Sequence, residues 1–139
     1  MCRIGDIIVV NGYIGEDGKE IGQHSFIVID DKPSSIKGLK YDLVANVMSS
    51  FHDEGHKKRR LAHKENLLVE SEDIISSYKN SREGYIKADQ LHYFDKNNLD
   101  YYVFGSISSD LLDELVQLII ELEVEDKLKQ NTQNLSETA

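Results

Sequence analysis

The chain has 139 residues, 40% of them apolar and 29% charged, with a formal net charge of −9 and a single cysteine, Cys2. That length supports one domain with one core, and a lone cysteine excludes a disulfide framework within the chain, as suits a reducing cytoplasm. No apolar run is long enough to span a bilayer and the opening residues lack a secretory layout, so a cytoplasmic protein without membrane contact is expected. Residues 3–10 (Arg-Ile-Gly-Asp-Ile-Ile-Val-Val) read as a strand rich in β-branched side chains. The stretch 11–22, with Gly12, Gly15, Gly18 and Gly22, predicts a loop in which Asp17-Gly18 marks a turn, the whole suiting a long hairpin connection. A second strand covers 25–29 and ends at Asp30-Asp31-Lys32-Pro33; a third covers 41–48 and runs into Ser49-Ser50. The basic segment 52–64 reads as a loop, 66–69 as a short strand, and 70–84 as polar and partly irregular. Residues 85–88 and 101–104 give two more short strands.

The last element is an amphipathic helix, because Leu111, Leu112, Leu115, Val116, Ile119 and Leu122 recur at three- and four-residue steps. Ser108-Ser109-Asp110 supplies capping oxygens and negative charge at its start. After Glu125 the sequence turns polar and predicts a frayed tail. The organisation is thus a domain over 1–124 and a disordered tail over 125–139. Short strands with one late helix make the fold class mainly β (α+β), a small barrel with a C-terminal amphipathic helix. That helix has more apolar surface than a small barrel needs, which leaves a face to share with a second copy or another partner.

Charge is unevenly spread. Seven acidic residues and no Lys or Arg lie between Asp110 and Asp126, whereas His56-Lys57-Lys58-Arg59-Arg60 and His63-Lys64 form a basic run. The net charge therefore does not exclude RNA, whose phosphates need only a local positive field. His52-x₃-His56 has a metal-ligand spacing, but Gly55 interrupts it and no partner motif exists, so neither a metal nor another cofactor is expected. The glycine-rich stretch lacks the Gly-Lys-Ser/Thr ending of a phosphate cradle.

The order of segments resembles the MazF/PemK toxin family over roughly residues 4–122. Gly5-Asp6-Ile7-Ile8-Val9-Val10 is similar to the family's opening strand, and Gly22 to Ile29 to its next strand, with Gln23-His24-Ser25 in place of Lys-Arg-Pro. Val44 to Ser50 takes the place of a strand that ends in Thr-Ser. Gly84-Tyr85-Ile86-Lys87-Ala88-Asp89-Gln90-Leu91 resembles a Ser-Tyr-Ile-Lys-Cys-Asp-Gln-Ile block, and Phe104 to Ser108 the start of the closing helix. The resemblance implies an SH3-like barrel that forms a homodimer and cleaves single-stranded RNA to a 2′,3′-cyclic phosphate and a 5′-hydroxyl. It also implies an antitoxin partner, protein in one branch and RNA in the ToxN-like branch.

Metal-free RNA cleavage uses the substrate's own 2′-hydroxyl as nucleophile, so the protein must accept one proton, donate another and stabilise phosphate charge. His24 is suited to either proton task, against the plain alternative of a strand-end histidine. Ser49 and Ser50 are candidate phosphate holders, or else a simple Ser-Ser strand terminator. Candidate substrate contacts are Gln23, the Lys57-Lys58-Arg59-Arg60 cations, and Lys87. Phe51 and His52 are placed to stack on a base, though Phe51 equally suits a plug in the barrel. Gln90 offers both a donor and an acceptor. Two rival functions remain: an inert barrel that binds RNA or protein, and a CcdB-like toxin that binds a protein target.

Overall fold

The computed structural model describes residues 2–15, 17–76 and 83–136. β1 (Asp6–Ile14) and β2 (Glu20–Asp30) form an antiparallel hairpin, with Ile7 opposite Ile27 and Ile14 opposite Glu20. The glycine-rich stretch expected as a loop over 11–22 is therefore mostly strand. Only the connection around Asp17-Gly18 turns, with Gly18 at φ 81 and the Gly15 N–H donating to the Lys19 carbonyl at 2.9 Å. Ladder pairing along both strands outweighs the weak strand preference of glycine.

β3 (Ser34–Ile36) and β4 (Leu39–Tyr41) make a separate small hairpin. Its two turn residues, Lys37 and Gly38, both sit at positive φ (53 and 78), the geometry that matches strand twist in a two-residue connection. β5 (Leu43–Ser50) joins the main sheet. Next comes α1 (Glu54–Leu61), in place of the loop expected over 52–64. This helix has little apolar surface, but its ends are well made. Asp53 caps it by accepting from the His56 N–H at 2.7 Å, Glu54 lies in the first turn, and Lys58, Arg59 and Arg60 lie in the last. Each charge has the sign that the helix dipole favours at its end.

β6 (Asn66–Val69), a 3₁₀ turn at Ser71–Asp73 and β7 (Ile74–Ile75) follow. The long strands β8 (Gly84–Phe94) and β9 (Asp100–Ile107) lead into α2 (Ser109–Val124). α2 starts where the capping residues predict, with Ser108 Oγ accepting from the Leu111 N–H at 3.3 Å. The polar stretch after Glu125, expected to fray, instead carries β10 (Lys129–Asn131), parallel to β8 with Lys129 opposite Gln90. Beyond it, the Asn134 side chain accepts from Ile14 N–H at 2.6 Å and donates to the Ile14 carbonyl at 2.9 Å. Backbone pairing, invisible to a hydropathy pattern, orders this segment.

The main sheet runs β10-β8-β5-β2-β1-β9-β7, with β6 also on β8, and it curls into a mainly β architecture. α2 covers one face, where Leu111, Leu115 and Leu122 meet Ile7, Ile27, Ile86 and Ile107. The opposite face carries Ile8, Val10, Phe26, Val28, Ala45 and Phe94. Successive strand residues feed the two faces alternately, and each fully buried large side chain stabilises the fold by roughly 1.5–3 kcal/mol. Among the described residues no helix is long and apolar enough to cross a membrane.

One irregularity matters for the site. Between the pairs Asn46–Leu91 and Met48–Ile86 the register jumps, so residues 87–90 of β8 bulge out opposite Val47 alone. The fully buried Asn46 holds this bulge: its Nδ2 lies 3.1, 3.3 and 2.9 Å from the carbonyl oxygens of Lys87, Ala88 and Gln90.

Candidate functional site

The β2–β5 ladder ends at the pair Ser25–Met48, although both strands run on. β2 extends back to Glu20 against β1, while β5 extends forward to Ser50 against β8. The strands therefore part, and a cavity of about 360 Å³ opens in the fork. Gln23, His24, Ser49 and Ser50, from two distant parts of the sequence, all line it. β8 closes one side at Gly84, where a Cβ would run into the Ser49 carbonyl. Only glycine allows that approach.

His24 is half-buried on the face away from α2, with its ring 6.3 Å from Tyr13 and 6.2 Å from Phe26, both edge-on. Its Nδ1 accepts from the Ser25 N–H at 2.9 Å. A neutral imidazole in that arrangement carries its proton on Nε2. Burial, and next the charge of nearby Lys87, push the His24 pKa below its usual value, so the neutral form dominates at pH 7. Lys87 sits half-buried on the bulge that Asn46 holds. Its own pKa is lowered, first by burial and then by Arg60 at the end of α1. Lys87 does not line the cavity, but its charge reaches His24, and an imidazole N–H with a cation close by can stabilise phosphate charge.

No family model matches this chain, and no curated protein sequence matches it. Among the remaining expected site residues, Lys57 reaches the fork indirectly: its Nζ holds Glu83, a cavity residue, at 2.7 Å and lies 5.9 Å above the Phe51 ring. Phe51 is half-buried and stacks on buried Tyr85 at 5.2 Å, outside the cavity lining. Lys58, Arg59 and Arg60 are exposed along α1. His52 is exposed, and its N–H donates to His56 Nδ1 at 3.1 Å. Arg60 Nε lies 3.2 Å from His56 Nε2; that nitrogen bears the proton in this tautomer, so the contact is a close approach rather than a second hydrogen bond. Gln90 lies at the far end of the bulge, opposite Lys129 of β10, and does not line the cavity.

Several residues that shape the site escape a reading of the sequence. Asn46 is the clearest, and its only signal is a polar side chain inside the apolar run 43–48. Glu83, Tyr102 and Phe104 complete the cavity wall. His92 is buried near His24, with rings of Phe26 at 5.2 Å and Tyr13 at 6.2 Å between them. Its Nε2 lies 3.5 Å from Asn131, and its buried Nδ1 has no hydrogen-bond partner among the described residues. Burial, then the charges of His24 and Lys87, lower its pKa to about 4. His92 is a neutral core residue.

Proposed function

We propose that the fork is the active site of a metal-independent endoribonuclease, in an SH3-like barrel toxin akin to the MazF/PemK family. The observation that carries this reading is the meeting of Gln23, His24, Ser49 and Ser50 in one cavity, with Lys87 near enough to lower the His24 pKa. The substrate's 2′-oxygen attacks phosphorus and the bond from phosphorus to the 5′-oxygen breaks. The 2′-hydroxyl proton is lost to a base and the 5′-oxygen gains a proton, leaving a 2′,3′-cyclic phosphate and a 5′-hydroxyl. Lys87, whose neutral amine is favoured by burial and by Arg60, takes the 2′-hydroxyl proton and, as the ammonium so formed, returns a proton to the leaving 5′-oxygen, while His24 donates its Nε2–H as a hydrogen bond to the phosphate. Ser49 and Ser50 hold phosphate oxygens, and the α1 cations steer the strand. Such a toxin would be kept in check by an antitoxin, of protein or RNA, and would work as a cytoplasmic homodimer.

The test is incubation of the full chain with a long single-stranded RNA in EDTA, followed by mapping of fragment ends. Discrete cuts that leave 2′,3′-cyclic phosphates, and that vanish when the cut nucleotide is 2′-deoxy, are expected. Uncut RNA, or cuts that persist at 2′-deoxy positions, would overturn the reading.

A further inference from the structure

The cavity has two sides. Strand alternation sends His24 and Ser49 away from α2, and sends Val9, Ser25 and Met48 towards it. On the α2 side the wall is Ile7, Val9, Met48, Ile74, Tyr102 and Phe104. It is an apolar slot beside a polar reaction centre. The volume of about 360 Å³ falls within the range of small-ligand sites, and single-stranded RNA is commonly read by drawing an unstacked base into such a slot.

We infer that this α2-side slot binds a nucleobase, guanine by preference, from the nucleotide next to the phosphate held by His24 and Ser49; the inference rests on the ribonuclease reading. The polar rim selects the base. Gln23 donates its Nε2–H to Asn11 Oδ1 at 3.0 Å, which leaves its amide oxygen as an acceptor. Glu83 also lines the slot, with one carboxylate oxygen held by Lys57 at 2.7 Å. A rim rich in acceptors suits a base edge rich in donors, and guanine presents adjacent N1–H and N2–H₂ groups. The Lys57 ammonium beside Glu83 offsets the repulsion that a carboxylate would otherwise exert on the RNA phosphates. A base slot also supplies affinity that a chain of net charge −9 draws only weakly from phosphates.

The experiment titrates the full chain with GMP, UMP and ribose 5-phosphate, following the methyl NMR signals of Ile7, Val9, Met48 and Ile74. GMP is expected to bind about tenfold more tightly than UMP, and Glu83→Gln to remove that preference. Methyl shifts should concentrate at these four residues. Ribose 5-phosphate binding as tightly as GMP, or shifts that spare these methyls, overturns the inference. GMP bound in the slot while RNA stays uncut supports the slot and removes the ribonuclease reading. RNA cut without base preference, with UMP equal to GMP, removes the slot and keeps the ribonuclease.

Discussion

β2 and β5 are zipped along half their length and parted along the other. In the zipped half, Phe26, Ile27, Val28 and Ala45 are fully buried, and the ladder is continuous apart from one register shift near Asp30. In the parted half, Gln23 and Ser50 are exposed while His24 and Ser49 are half-buried. The sequence along each strand changes from apolar to polar at the point where pairing stops. A rigid ladder therefore carries the reactive groups just past its end, where substrate can reach them and neighbouring strands still fix them. The two histidines repeat the contrast: His24 lies at the opening, and His92 lies in the packed interior behind Phe26 and Tyr13.

The largest effect should come from unzipping. Phe26 is fully buried, with Tyr13, His92 and Phe94 rings at 5.0, 5.2 and 5.3 Å. Phe26→Ala should cost about 3–5 kcal/mol in urea denaturation; a loss below 1 kcal/mol would mean that the zipped half is not the stable one. The next effect is one of pH. The folded state keeps His92 neutral down to about pH 4, whereas an unfolded histidine titrates at 6.5. Between those values the unfolded chain binds more protons, so stability is complete above pH 6.5 and falls as pH drops towards 4. The loss is about 3 kcal/mol for this group, and His24, shifted the same way, adds to it. His92→Phe should flatten this acid limb in urea titrations at stepped pH; an unchanged limb would assign it to other groups. Asn46→Ala is the smallest of the three. Loss of its contacts to the bulge carbonyls should cost about 1–3 kcal/mol and slow RNA cleavage through a displaced Lys87, while cleavage at the wild-type rate would detach the bulge from the site.

The elements legible in the sequence are those whose side chains alternate or recur. α2 follows from its leucine spacing and Ser108 cap, and the strands around Ile7, Ile27 and Val47 follow from β-branched runs. α1 was hidden because only His56 is buried on it, so capping and end charges rather than an apolar stripe specify the helix. β10 was hidden because a parallel edge strand held by backbone bonds needs little apolar sequence, and Asn131 is its only buried residue. Within the site, Gln23, His24, Ser49 and Ser50 could be named from their segments. Their meeting could not, because it depends on where the β2–β5 ladder ends. Glu83 and Asn46 depend on the same three-dimensional facts: a glycine-led approach at Gly84 and a bulge across from Val47.

The two histidines, one at the opening and one in the interior, can be set against each other. His24→Ala and His92→Phe are assayed for RNA cleavage in EDTA at pH 7, with urea stability measured alongside. His24→Ala should cleave about 10²–10⁴-fold more slowly at near-native stability, while His92→Phe should keep the wild-type rate. His24→Ala cutting as fast as the wild type would contradict the assignment of the fork as the reactive centre.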